Sequence, residues 1–283
     1  MNLSNINEVE ALLKKHGFHF SKSLGQNFLI DPDVCPNMAE AAIPDESYGV
    51  IEVGPGIGVL TVELAERAAK VVTIEIDDSL FPILDETLAD YDNIKVVHGD
   101  VMKLDLHQLI AEEFPDMPVV VCANLPYYIT SPVITKLLND RLPIESITVM
   151  VQQEAAERLC ADMGTREAGA ITAAIAFYAT AEELFEVPRE CFVPSPKVTS
   201  EVMQLTLREE PLAQLDNEKA FFNMVKAGFT QRRKTIMNSL SAGLSISKPE
   251  LKAILAEVGI PENSRIEQLT MDDLLAIYTA SRK

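Results

Sequence analysis

The spacing of apolar positions changes twice along the chain and divides it into three stretches. Near the start, Ile6, Val9, Leu12 and Leu13 recur at helical spacing and Gly17 follows as a C-terminal cap, which predicts one short helix. Residues 20–32 are polar, contain a glycine and read as loop. From Tyr48 the pattern becomes short apolar runs separated by helix-period segments such as Leu60–Ala69. Val50–Val53, Val71–Ile76, Ile94–Val97, Val119–Ala123 and Ile147–Val151 are five such runs, β-branched and apolar on both faces. Strands of this kind, joined by helix-length connections, predict a parallel sheet in a doubly wound α/β domain.

Two more strands are expected at Glu183–Val187 and Glu201–Leu207. The proline-rich link between them is too short for a crossover helix, so the two should run antiparallel. Five parallel strands closing on such a pair predict the seven-stranded, Rossmann-like sheet of class I methyltransferases, with its last strand antiparallel. After Glu210 the strand signal stops and three helices are expected: Glu218–Leu240, Pro249–Val258 and Met271–Ser281. The last two open with Ser247 and Glu250, and with Thr270 and Asp273, at capping-box spacing. The expected division is a catalytic domain over 1–209 and a small all-α domain over 210–283.

Composition narrows this picture. With 283 residues, 47% of them hydrophobic, the chain can bury a full catalytic core and a smaller domain. No apolar run approaches the ~18 residues of a membrane helix, and the polar N-terminus lacks a signal core, so a soluble cytoplasmic protein with no membrane partner is expected. Cys35, Cys122, Cys160 and Cys191 are scattered and the four histidines show no ligand spacing around them, so no metal site is expected. The net charge of −19 argues against a nucleic-acid partner, but it is uneven: residues 210–283 carry 10 basic and 9 acidic side chains.

The strand Val50–Val53 runs into Gly54-Pro55-Gly56-Ile57-Gly58 and then a helix. Glycines at such a turn let a ligand approach the backbone. The third glycine comes two residues after the second, whereas the nicotinamide fingerprint places it three after. Glu75 ends the next strand at the offset where an acidic residue meets ribose hydroxyls. Asp100 follows the third strand and is placed to accept from the amine of a cofactor adenine, with Val101 against the ring face. Together these residues predict a site for S-adenosyl-L-methionine.

The fourth strand ends in Asn124-Leu125-Pro126-Tyr127-Tyr128. An aromatic amine is a poor nucleophile because its lone pair is delocalised into the ring. The Asn124 side-chain oxygen and the Leu125 carbonyl, left free by the turn at Pro126, can accept its two hydrogens and favour a tetrahedral nitrogen. Tyr127 can stack on the extruded base.

With these motifs in place, the chain resembles the KsgA family of small-subunit ribosomal RNA adenine N6,N6-dimethyltransferases over essentially its whole length. Ser23-Leu-Gly-Gln-Asn-Phe-Leu, Glu52-Val-Gly-Pro-Gly-Ile-Gly, Asn124-Leu-Pro-Tyr-Tyr-Ile and Phe192-Val-Pro-Ser-Pro-Lys-Val stand in family order, with Gln231-Arg-Arg-Lys-Thr in the last domain. The resemblance implies that Asn27 and Leu29 contact the cofactor beside Gly54, Gly56, Glu75, Asp100, Val101 and Asn124. It implies that Phe192 stacks on the base opposite Tyr127, and that the substrate is two adjacent adenosines near the 3′ end of the small-subunit RNA. It departs from the pattern after Gly164-Thr165, where the family's substrate-side tyrosine and arginine are missing.

Lys226, Arg232, Arg233 and Lys234 are expected to cluster on the long helix after Glu218 and to contact phosphate, with Lys197 steering the backbone near Phe192. Lys14, Lys15 and Lys22 are candidates for the same surface. The expected partner is small-subunit ribosomal RNA within the small ribosomal subunit, bound by a monomer. Two alternatives stay open: a large-subunit adenine methyltransferase of the macrolide-resistance type, and a non-catalytic assembly factor on the same fold.

Overall fold

Strands and helices alternate through the first part of the chain in a computed structural model that describes residues 1–18, 27–244 and 246–282. In order they are α1 (Ile6–Lys15), β1 (Phe28–Leu29), α2 (Val34–Ala42), β2 (Gly49–Val53), α3 (Val59–Ala65), β3 (Lys70–Glu75), α4 (Phe81–Thr87), β4 (Ile94–His98), α5 (Leu106–Glu113), β5 (Val119–Asn124), α6 (Thr130–Asn139), β6 (Ser146–Gln152), α7 (Gln153–Leu159), α8 (Ala170–Tyr178), β7 (Ala179–Val187), β8 (Phe192–Val193) and β9 (Ser200–Leu207). Four helices follow: α9 (Glu218–Thr230), α10 (Ile236–Leu244), α11 (Lys248–Glu257) and α12 (Met271–Ala280).

The seven-stranded sheet has the order β4-β3-β2-β5-β6-β9-β7. Strands β2 to β6 pair in parallel, and β9 joins β6 antiparallel from Ser146↔Thr206 to Gln152↔Ser200. Burial of β2, β5 and β6 along nearly their whole length explains why these runs lack a polar alternation. One core packs Met38, Ala39 and Leu64 against Val50, Val71, Val120 and Met150 of the sheet. A second holds Val9, Leu12 and Leu13 of α1 with Ile57, Ile83 and Leu84.

The expected loop over residues 20–32 contains a strand. Phe28 and Leu29 form β1, which pairs antiparallel with β8 through Phe28↔Val193 and Leu29↔Phe192. Alternation sends Phe28 into the second core and Leu29 into the first, which two apolar residues after a polar stretch do not announce. Residues 19–26, including Lys22 and the start of the Ser23 motif, lie outside the described residues.

The chain forms two compact units: Met1–Ala156 with Glu182–Leu207, and Glu157–Ala181 with Arg208–Lys283. The second therefore takes in α8, which a single division after residue 209 assigns to the catalytic part. Apolar on nearly every face, α8 buries Thr172, Ala173, Ala174, Ile175, Phe177 and Tyr178, as a helix inside a bundle must. Its Phe177 ring lies 5.7 Å from Phe221 and 5.4 Å from Phe222 of α9. The departing segment at Gly164–Ala179 thus builds the helical unit's aromatic core. Both residues cap their helices, but the reciprocal box is complete at α12 alone of the two: Ser247 accepts from Glu250 N without a return bond, whereas Thr270 and Asp273 bond in both directions.

The expected helix Glu218–Leu240 is two helices. Thr235 forms a bridge with Arg265 and accepts from the amides of Asn238 and Ser239, so it starts α10 afresh. The amide of Lys234 turns back to the Gln231 carbonyl at 2.7 Å. Arg232, Arg233 and Lys234 consequently lie in a turn and not on a helix face.

Candidate active site and cofactor cavity

The carboxyl ends of β2, β3, β4 and β5, with β1 and β8, enclose one cavity of about 320 Å³. Asn27, Leu29, Gly54, Gly56, Glu75, Asp100, Val101, Asn124, Leu125, Pro126, Tyr127 and Phe192 all line it. The motifs from Gly54 to Asn124 converge there because parallel strands end on the same edge, and the antiparallel β1–β8 pair adds Asn27, Leu29 and Phe192.

The turn after β2 holds Gly54, Gly56 and Gly58 at φ of +72°, +59° and +91°. A Cβ on Gly58 would sit 2.9 Å from Leu88 Cδ2, so both its backbone and its packing exclude a larger residue. A Cβ on Gly54 would meet nothing within 4 Å. Gly54 itself lines the cavity.

Glu75 is 5% exposed, and its Oε1 accepts from the amides of Ile76 and Asp77, both at 2.7 Å. Burial pushes its carboxyl above the ordinary range, and these backbone donors pull against that. The donors fix the carboxylate's direction. Asp100 accepts from Met102 N at 3.0 Å through Oδ1, while Oδ2 lies 3.2 Å from Lys103 Nζ. Val101 is buried beneath the cavity wall.

The Asn124 carboxamide makes no hydrogen bond with the described residues. In the adjoining turn, the Pro126 carbonyl accepts from Ile129 N at 3.0 Å, and the Leu125 carbonyl accepts from no backbone amide of the described residues. Two acceptors therefore stand unused at the end of β5. Tyr127 shares a 2.7 Å hydrogen bond with Ser200, and Phe192 is 3% exposed.

Glu52, whose place just before the glycine turn suits a methyltransferase, lines the cavity without an assigned role, and Ile76, Met102 and Tyr128 fall outside the sequence-derived set. Glu52 is 1% exposed and accepts from Thr61 Oγ1 at 2.7 Å. Burial raises its carboxyl to about 7 despite that bond. Its position before the glycine turn, inside an apolar strand, was the available signal. Ile76, Met102 and Tyr128 also line the cavity yet are 52%, 40% and 57% exposed. Ile76 and Met102 stand one and two positions after Glu75 and Asp100, where an exposed loop would ordinarily be polar.

The basic residues are less uniform than expected. Lys197, Lys226, Arg233 and Lys234 are exposed. Arg232 is half-buried, donates to the Arg166 carbonyl and faces Glu267 at 3.9 Å, so it braces the turn from within. Lys14 is exposed, whereas Lys15 is paired with Glu86 at 2.7 Å, and His16 meets the same carboxylate at 2.7 Å.

This sheet order and cavity define a class I S-adenosylmethionine-dependent methyltransferase. Residues 17–283 match the family described as ribosomal RNA adenine dimethylase. The chain is 47% identical over 276 residues to ribosomal RNA small subunit methyltransferase A of Geobacillus sp., covering 96% of this chain and 95% of that one. It is 45% identical to the protein of the same name from Bacillus mycoides, covering 99% and 97%. Among solved structures, a dimethyladenosine transferase from Plasmodium falciparum aligns with a TM-score of 0.73 at 27% identity, covering 88% of this chain and 95% of that chain. The 23S rRNA methyltransferase ErmE aligns with a TM-score of 0.68 at 29% identity, covering 90% and 99%. The chain belongs to the ribosomal RNA adenine dimethylase family.

Proposed function

We propose that this protein dimethylates the N6 amines of two adjacent adenosines near the 3′ end of small-subunit ribosomal RNA, acting on the small ribosomal subunit as a cytoplasmic monomer. The observation that carries the reading is the pair of unused acceptors at Asn124 and Leu125, in one cavity with Gly54, Glu75 and Asp100. S-adenosylmethionine supplies an electrophilic sulfonium methyl group when bound.

The residues present fit that group. Glu75, held by two backbone amides, offers its second oxygen to ribose hydroxyls. Asp100 accepts from the cofactor's adenine amine, and Ile76 with Val101 supplies apolar surface for the ring. The open space beside Gly54 admits the chain of the cofactor against the backbone. On the substrate side, Asn124 Oδ1 and the Leu125 carbonyl accept the two N6 hydrogens and turn the nitrogen lone pair toward the methyl group. Tyr127 and Phe192 provide the two faces between which the adenine stacks. Once the nitrogen is alkylated its proton is acidic enough to leave without a dedicated base.

Identity of 45–47% over nearly the full length with relatives named for the small subunit favours that substrate over the large-subunit RNA named for ErmE. The deciding experiment gives tritiated S-adenosylmethionine to the protein with under-methylated small subunits, large subunits and naked RNA in parallel. Label in dimethyladenosine of the small subunit is expected. Label confined to the large subunit would reassign the substrate, and cofactor binding without transfer to any of the three would reassign the protein to a non-catalytic role.

A further inference from the structure

The phenol of Tyr127 is not needed for stacking, since a phenylalanine has the same face. Its hydroxyl nevertheless reaches away from the chain and meets Ser200 Oγ at 2.7 Å. Ser200 is fully buried, and Tyr127 is the one side chain among the described residues to which its hydroxyl bonds. It also stands on rigid backbone: Ser200 pairs with Gln152 at the end of the β6–β9 ladder, and the Thr199 carbonyl accepts from Gln153 N at 3.1 Å. Tyr127, by contrast, sits in the turn that follows β5, outside any strand. The opposite wall has its own tie, because Phe192 pairs with Leu29 across β8 and β1. Residues 192–200 therefore carry the anchors of both aromatic walls.

From this arrangement we infer that Ser200 is a positioning residue, one that holds the Tyr127 ring at the tilt and spacing the target adenine requires. The inference rests on the reading that Tyr127 stacks on that base. Without the bond the half-buried ring loses the tie at its far end and is freer to swing about its side-chain torsions, so the base enters but the N6 nitrogen is less often aligned for transfer. Burial raises the Tyr127 phenol, so it keeps its proton and the bond persists across neutral pH.

The test compares Ser200→Ala, Tyr127→Phe, the double variant and Tyr127→Ala in methyl transfer to under-methylated small subunits, alongside cofactor binding. Ser200→Ala and Tyr127→Phe should each lower kcat about tenfold, as for a small misplacement of reacting groups. The KM for subunits and the cofactor Kd should stay within about twofold, and the double variant should lose no more than either single change, because both remove one bond. Tyr127→Ala should lose far more. Wild-type kcat in both single variants, with Tyr127→Ala inactive, would overturn the positioning role while leaving the stacking reading intact. Wild-type kcat in Tyr127→Ala would overturn both. Losses that multiply in the double variant would also overturn it, since they would mean the two hydroxyls act separately. If Ser200→Ala does not fold, Tyr127→Phe alone decides, because its change falls on a half-buried ring.

Discussion

Replacing Glu52 by glutamine should change how the stability of this protein depends on pH. Glu52 is fully enclosed, and its ionised form faces no cation among the described residues: Thr61 donates to it, while Glu75 and the thiols of Cys35 and Cys122 lie in its surroundings. Its carboxyl is raised from 4.5 to about 7. Between those values the folded chain holds a proton that the unfolded chain has released. The folded state thus binds more protons there, and stability falls as pH rises through that window. From pH 5 to pH 8 the loss amounts to about 2–3 kcal/mol, at 1.36 kcal/mol for each pKa unit. For a protein of this size that is roughly 5–10 °C in Tm. Glutamine has no such titration, and the Thr61 hydroxyl can still bond to its amide. Melting curves of both proteins from pH 5 to 9, without cofactor, isolate the effect as the difference between two slopes, so other titrating groups and any constant offset cancel. The variant should gain on the wild type as pH rises and the gain should level off above about 8. A pH-independent difference would refute the assignment of a neutral, buried carboxylic acid at Glu52. Because Glu52 lines the cavity, a cationic ligand should favour its ionised form. Cofactor affinity should then rise with pH up to about 7 in the wild type and stay flatter in the variant, as titration calorimetry can check.

Asn124→Ala removes an acceptor for the target amine, so methyl transfer should fall by roughly 100-fold or more while the cofactor Kd moves only a few-fold; turnover near wild type in a tritium assay would end the proposed mechanism. Glu75→Ala should weaken cofactor binding by about 1–3 kcal/mol, as for a lost hydrogen bond to a charged group, and an unchanged Kd by calorimetry would remove its ribose role. Changing Arg233 and Lys234 together to alanine should weaken RNA binding and flatten its dependence on salt, with log K against log salt losing about 1.4 to 1.8 of slope. Arg232→Ala should instead lower the melting temperature and leave that slope unchanged; a loss of slope equal to that of its neighbours would show that it reaches phosphate after all.

The legible parts of this fold share a physical basis. Parallel strands buried on both faces must be apolar throughout, so β2, β3, β5 and β6 stood out, and the ends of β2, β3 and β5 then located Gly54, Glu75 and Asn124; Asp100 follows β4, a half-exposed edge strand that its β-branched residues still marked. What failed depended on partners far along the chain. β1 exists because Phe192 and Val193 return to pair with it, and no local pattern in Phe28-Leu29 encodes that. The break at residues 231–235 had a local sign, since Thr235 before Ile236 is a plausible N-cap, but the apolar period ran through it and outweighed the cap. The placement of α8 in the helical unit was hidden for another reason. An apolar helix can be buried against a sheet or inside a bundle, and only the rings of Phe221 and Phe222 decide which.

The charge distribution constrains how RNA can reach the cavity. Within the unit that contains the cavity there are 11 basic and 30 acidic residues; the helical unit has 13 of each. The whole net charge of −19 therefore belongs to the catalytic unit, whose field repels a polyanion at distances up to the Debye length, about 8 Å at physiological salt. Attraction must come from local groups that stand clear of acidic partners. Lys226, Arg233 and Lys234 meet that requirement on the helical unit, and Lys197 does so on the loop after Phe192; Lys15 and Arg232, which answer carboxylates of their own, do not. A protein so arranged gains little from phosphates that lie against the catalytic unit, where acidic residues outnumber basic ones. Attraction to a polyanion then rests on phosphates that meet those few cations, so where phosphate falls along a substrate, and not its total charge, decides how well it is held.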